Sequence, residues 1–82
     1  MKIEWIPTKE RLPEKSGEYL AFLPHPTLEG RGNVSCVAYS AKRHLFNAFD
    51  DQEDDKYSYD TNRVSHWAEI VTPEGWTLYE SL

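Results

Sequence analysis

Glycine and proline divide this chain into short segments, and this division limits the folds open to it. Gly17 precedes an apolar run that stops at residues 24–26, and Gly30 opens the loop before the next run. Proline lacks the N–H that a sheet requires, so pairing must stop where it stands. Helical spacing is confined to one turn at 8–11, which Pro13 would end. We therefore expect a mainly β domain with at most one short helix.

The strand predictions follow from runs of β-branched and aromatic residues between these breaks. We expect strands at about 18–23, 33–40, 44–49 and 63–71, with a short edge strand at 76–79. The short link at 40–43 predicts a hairpin between the second and third strands. Together they favour an antiparallel meander, folded into a sheet or partial barrel of about 4–5 strands. We expect one small domain spanning 1–82.

Side-chain alternation predicts which residues face the core. Along 33–40, Cys36 alternates with Val34 and Ala38, which predicts that Cys36 faces the core. Along 63–71, His66 shares a face with Val64 and therefore lies on the apolar side. Trp67 then falls among polar neighbours, and we expect segment 5–7 to cover it.

The size of the chain predicts a thin core. A chain of 82 residues buries about 60% of its unfolded surface. Three Trp, five Tyr and three Phe offset this, since each aromatic ring buries about 150–250 Å². Few core losses can be tolerated, and association into a homo-oligomer would add stability.

Charge and cysteine content limit the partners and the cellular compartments that fit this chain. The net charge is −5 and the basic residues are scattered, which disfavours direct nucleic-acid binding. Cys36 is the single cysteine, so an internal disulfide is impossible and a reducing compartment is expected. The N-terminal residues do not resemble a signal peptide, and no apolar run has membrane-spanning length. We expect a cytoplasmic protein that does not bind membranes.

A polar, acidic stretch at 50–62 is the longest predicted loop. A solvated loop is the plain interpretation, and Ca²⁺ or Mg²⁺ binding is disfavoured because the EF-hand spacing and its glycine are missing. Tyrosine is common at protein interfaces, so a loop carrying Tyr beside carboxylates suits a partner. The candidate partner-binding residues are Asp50, Asp51, Glu53, Asp54, Asp55, Tyr57, Tyr59 and Trp67.

Catalytic residues are not indicated. Cys36 could pair with His44 or His66, but a buried thiol is unreactive. His66 as a general base would need a nucleophile or substrate within reach, and the sequence offers none nearby. One cysteine and three dispersed histidines lack zinc-ligand spacing. We expect no enzyme activity, cofactor or metal.

Several short motifs in fixed order resemble a known family. They are Trp5-Ile6, Arg11-Leu12-Pro13, Gly17-Glu18-Tyr19-Leu20, a hairpin carrying Tyr39 and Phe46, and Val64-Ser65-His66-Trp67. Over about residues 4–71 the chain resembles the domain-of-unknown-function family 551, small proteins of bacteria and phages. The resemblance implies a phage or prophage setting and an intracellular product. It implies no reaction, so no catalytic residues are carried over.

The sequence departs from the family pattern in two places. The acidic stretch at 50–62 is long, and residues 68–71 replace the usual Met-Pro-like ending before the chain continues through Trp76.

The leading functional hypothesis is a non-catalytic phage or prophage accessory module that binds another protein. A first alternative is an inhibitor of a host enzyme that binds DNA or RNA, in which residues 50–55 mimic the charge of nucleic acid. A second is a small homo-oligomeric structural protein, because exposed strand edges invite pairing.

Overall fold

The computed structural model describes residues 3–51 and 54–76. Within these residues, five antiparallel strands form one curled, half-barrel sheet, and there is no helix. The strands are β1 (Ile6–Pro7), β2 (Gly17–Pro24), β3 (Gly32–Ser40), β4 (Leu45–Phe46) and β5 (His66–Ala68). The predicted mainly β class and antiparallel sheet of about 4–5 strands are confirmed, although β1 was not among the predicted strands.

The β2–β3 hairpin is the longest pairing in the sheet. Its register runs from Gly17 opposite Tyr39 to Pro24 opposite Gly32. Both strands match the predicted segments and extend them by a residue or so. Gly32 is required where it stands, because a Cβ there would lie 2.7 Å from the Phe22 ring and 2.7 Å from the Leu23 carbonyl oxygen.

β4 is shorter than the predicted strand at 44–49. His44 and Asn47 on either side of it have positive φ values of 57°. The N–H groups of Asn47 and Ala48 both donate to the carbonyl of Ala38, which makes a bulge and ends regular pairing. The predicted hairpin between the second and third strands is confirmed, with 41–44 as its turn.

The strand order is β1-β5-β2-β3-β4, so consecutive pairing holds for β2, β3 and β4 but not for β5. β5 is also shorter than the predicted strand at 63–71. The chain turns just before it, with the N–H groups of Arg63 and Val64 donating to the Asp60 carbonyl. Residues 77–79 of the predicted edge strand lie outside the described residues.

The core fills the inner face of the half-barrel. Its buried members are Ala21, Val37, Tyr39, Phe46, Val64 and Trp67. The Tyr19 ring meets the Trp67 ring edge-on, with centroids 5.4 Å apart. The indole N–H of Trp67 donates to the carbonyl of Arg11 at 2.8 Å. The largest ring in the core is therefore fixed by both packing and a hydrogen bond.

The predicted facing of His66 and Trp67 is wrong. Trp67 is 5% exposed in the core, whereas His66 is partly buried on the outer face. Val64 belongs to the turn before β5, so counting alternate residues from it gives the wrong phase. Ile6 of the predicted covering segment lies opposite Trp67 in the sheet, while the Trp5 ring lies against Phe22 on the other face.

The prediction that Cys36 faces the core is also wrong. Cys36 is exposed, and its neighbour on the same face, Val34, is 54% exposed. Val37 and Tyr39 on the other face are buried. Alternation correctly grouped these residues by face, but the larger side chains of the other group form the core.

Candidate functional site

Asp50, the first residue of the acidic stretch, joins two strands. Its carboxylate accepts hydrogen bonds from Ser40 Oγ at 2.6 Å and Ser16 Oγ at 2.8 Å. These two bonds, with a smaller contribution from Lys42, hold the pKa of Asp50 below its usual value. Ser16 Oγ in turn accepts the Ala41 N–H at 2.8 Å. Asp50 therefore stabilises the junction between the start of β2 and the end of β3.

Other carboxylates of the stretch shape its own backbone. Asp54 Oδ1 accepts the Lys56 N–H at 2.9 Å, and Asp55 forms an ion pair with Arg43. Asp60 Oδ1 accepts two backbone N–H groups at the start of the next turn. Asp51 is exposed, and Glu53 lies outside the described residues. In the described part of the chain, no three His, Cys, Asp or Glu side chains are grouped so as to hold a metal ion.

The two tyrosines of the stretch separate. Tyr59 exchanges backbone hydrogen bonds with Phe46 at 2.7 and 2.9 Å and packs against the core. Tyr57 is 69% exposed, with Lys56 Nζ 5.5 Å from its ring centroid. The Asn47 side chain donates to the Tyr57 carbonyl at 2.9 Å, which orders the backbone beneath the exposed ring.

Trp67, the remaining predicted binding residue, is almost wholly buried. It borders a cleft of about 400 Å³ whose wall includes Arg11, Tyr19 and Glu69. Its burial and its hydrogen bond to Arg11 assign it mainly to the core.

The outer face carries an aromatic cluster that sequence reasoning missed. Trp5 meets Phe22 edge-on at 6.1 Å, and Phe22 meets His66 edge-on at 6.4 Å. We call these three residues the outer aromatic patch; they line a shallow cleft of about 240 Å³. Val34, directly opposite Phe22 in the register, extends its apolar surface. The signal was the apolar pair Leu20 and Phe22, which alternates with the core residues of β2.

The predicted catalytic candidates do not come together. Cys36 lies on β3 and His66 on β5, with β2 between them, while His44 lies in the hairpin turn. Partial burial and the Glu18 carboxylate, 4.0 Å from the thiol, raise the pKa of Cys36. A raised pKa leaves less of the nucleophilic thiolate. His66 Nδ1 lies 2.8 Å from Ser65 Oγ, its neighbour in sequence.

Within residues 3–51 and 54–76, no helix has the length and apolar character needed to cross a membrane.

Comparison with known proteins shows the family. The family model described as "Protein of unknown function (DUF551)" matches residues 4–74, so this chain belongs to that family and the sequence resemblance is confirmed. No curated protein and no solved structure matches the chain.

Proposed function

We propose that this DUF551 protein is a non-catalytic module that binds another protein through its outer aromatic patch. The observation that carries the proposal is that Trp5, Phe22 and His66 line a cleft on the face opposite the core. The setting we propose is a phage or prophage accessory protein acting in the cytoplasm. A lone, exposed Cys36 suits a reducing compartment.

The composition of the outer face supports binding. An antiparallel sheet with one face on the core usually presents polar side chains on the other. Here Val34, Phe22 and His66 lie side by side across three strands, in one row of the register. Contiguous apolar surface of this kind is typical of interaction sites. A partner with aliphatic side chains would remove these rings from water.

The geometry of the acidic stretch favours this proposal over nucleic-acid mimicry. A mimic must present its carboxylates to the target. Asp50 is instead bound by two serines of its own chain, and Asp55 is paired with Arg43. Asp54 and Asp60 accept backbone N–H groups nearby. These contacts give the acidic residues roles in folding the loop.

Site-specific photocrosslinking tests the proposal. A benzoyl-phenylalanine at position 34 reports on the outer face, and the same group at the exposed position 57 is the matched control. We expect position 34 to crosslink a distinct protein in host cells, and Trp5→Ser to abolish that product without unfolding the chain. Identical products from both positions, or products that survive Trp5→Ser, would contradict the proposal.

Analytical ultracentrifugation separates this proposal from self-association. A monomer at micromolar concentration leaves the outer aromatic patch available to a partner. A dimer that Val34→Lys dissociates would assign the face to a second copy of the chain, and the proposal would fail.

A further inference from the structure

A second cleft lies on the opposite side of the sheet from the outer aromatic patch. It has a volume of about 540 Å³ and opens between the end of the β2–β3 hairpin and the turn at 60–63. Its polar wall is rich in hydrogen-bond donors. The residues of this wall that matter here are His25, Asn33, Ser35, Tyr59, Asn62 and Arg63.

Arg63 supplies the positive charge of this cleft. Its guanidinium carbon lies 4.9 Å from the centroid of the Tyr59 ring, which is itself packed against the core. Among the described residues, no carboxylate forms an ion pair with Arg63. The nearby Asp60 carboxylate instead accepts the backbone N–H groups of Asn62 and Arg63, both at 3.0 Å. The planar guanidinium of Arg63 thus lies over an aromatic ring and, among the described residues, has no carboxylate in an ion pair with it.

His25 has a fixed tautomer. Its Nδ1 accepts the backbone N–H of Leu28 at 3.0 Å and that of Thr27 at 3.2 Å. A backbone N–H can only donate, so Nδ1 carries no proton and the neutral ring holds its proton on Nε2. His25 also lines the cleft, and in this tautomer its remaining ring nitrogen is a donor.

We propose that this cleft binds an oxyanion, the phosphate or carboxylate group of a ligand. Arg63 can give it two parallel N–H···O bonds, the arrangement that makes arginine suited to both groups. The amides of Asn33 and Asn62, the hydroxyl of Ser35 and the His25 ring supply further donors around the same space. No carboxylate lines the cleft within the described residues, so its lining does not repel an anion.

The net charge of −5 does not oppose this site at close range. At physiological salt, exposed charges are screened beyond about 8 Å. The neighbouring cleft, which shares Tyr59 and Arg63, adds the second cation Lys56. Two cations, Lys56 and Arg63, therefore line adjoining clefts on this part of the surface.

Titration with two probes tests the site. The ¹⁵N-labelled full chain is titrated with inorganic phosphate and separately with acetate, at constant ionic strength balanced by chloride. We expect saturable shifts of the Asn33, Ser35, Asn62 and Arg63 signals with at least one probe. Arg63→Gln should weaken that affinity about tenfold, the loss of one charge-assisted contact worth about 1.4 kcal/mol. Arg31→Gln, outside the cleft, should leave it within about twofold.

The probes also identify the ligand group. Saturation by phosphate alone assigns a phosphate site, and saturation by acetate alone assigns a carboxylate site. Shifts that rise linearly with both probes, or an affinity that survives in a folded Arg63→Gln protein, would overturn the proposal. The spectrum of each variant reports its folding in the same experiment.

Discussion

The two faces of this sheet carry similar aromatic contacts with different consequences. On the inner face, Tyr19 and Trp67 meet edge-on at 5.4 Å. On the outer face, Trp5 and Phe22 meet edge-on at 6.1 Å. Trp67 is 5% exposed, whereas Trp5 is only partly buried. Ring geometry alone therefore does not tell which cluster holds the fold together.

The difference arises from what lies over each face. Leu12, Tyr59 and Val64 come from outside the five strands and close over the inner rings. On the outer face, the rings of Trp5, Phe22 and His66 contact one another but all three remain partly exposed. Apolar area that stays in contact with water contributes little to folding, so it remains available for binding.

The strongest test of this comparison removes one tryptophan from each face. Trp67→Ala should lower the free energy of unfolding by about 3–5 kcal/mol, because it empties a closed site. Trp5→Ala should lower it by about 1 kcal/mol, because that ring is already partly hydrated. Urea unfolding followed by circular dichroism measures both.

Trp67→Phe is a milder variant that stays measurable if Trp67→Ala unfolds the chain in water. It keeps a ring but loses the indole bond to the Arg11 carbonyl, and should cost about 1–3 kcal/mol. A larger loss from Trp5→Ala than from Trp67→Phe would remove the distinction between the two faces.

A smaller effect on stability is expected at Gly32, where the Phe22 ring lies against the backbone. Gly32→Ala would place a methyl 2.7 Å from both the Phe22 ring and the Leu23 carbonyl oxygen. The ring can turn away but the carbonyl belongs to the sheet, so we expect a loss of about 1–3 kcal/mol in unfolding free energy. Gly17→Ala is the control, since its added methyl would meet its nearest neighbour at 3.8 Å. A Gly32→Ala protein as stable as Gly17→Ala would show that both the Phe22 ring and the backbone at Leu23 can shift, and that this end of the outer face is loosely ordered.

The smallest expected effect is on the pH dependence of stability. It acts through Asp50, which links the start of β2 to the end of β3. The pKa of Asp50 is lowered in the folded chain, so its bonds to Ser40 and Ser16 stabilise the fold at pH values above the unfolded pKa of 3.8. That contribution is lost as pH falls through the folded pKa. Asp50→Asn should therefore flatten the acid limb of a plot of urea midpoint against pH. Asp51→Asn, at the exposed neighbour, should leave the limb as in the original chain.

Local sequence signals sufficed for some elements. Gly17 and the prolines after residue 23 marked β2, and the run up to Ser40 marked β3, since strand length and breaks are encoded locally. β5 was predicted too long. The turn after Asp60 includes Arg63 and Val64, which the sequence pattern had assigned to the strand. The facing of Trp67 depends on that turn.

The roles of the acidic residues depend on distant partners. Ser16 is 34 positions from Asp50, and no spacing rule connects them. The outer patch likewise forms because Trp5, Phe22 and His66 meet across separate segments. The oxyanion cleft combines the loop at 25–31 with the turn at 60–63 in the same way.

The position of β5 has a consequence for how the chain is made. It lies between β1 and β2, yet it is the last of the five strands to leave the ribosome. Until His66–Ala68 emerges, β1 has no strand to pair with, while β2, β3 and β4 can already pair in their final order. The sheet therefore stays unfinished until β5 is made, and its slowest folding step should be the late insertion of these three residues between β1 and β2.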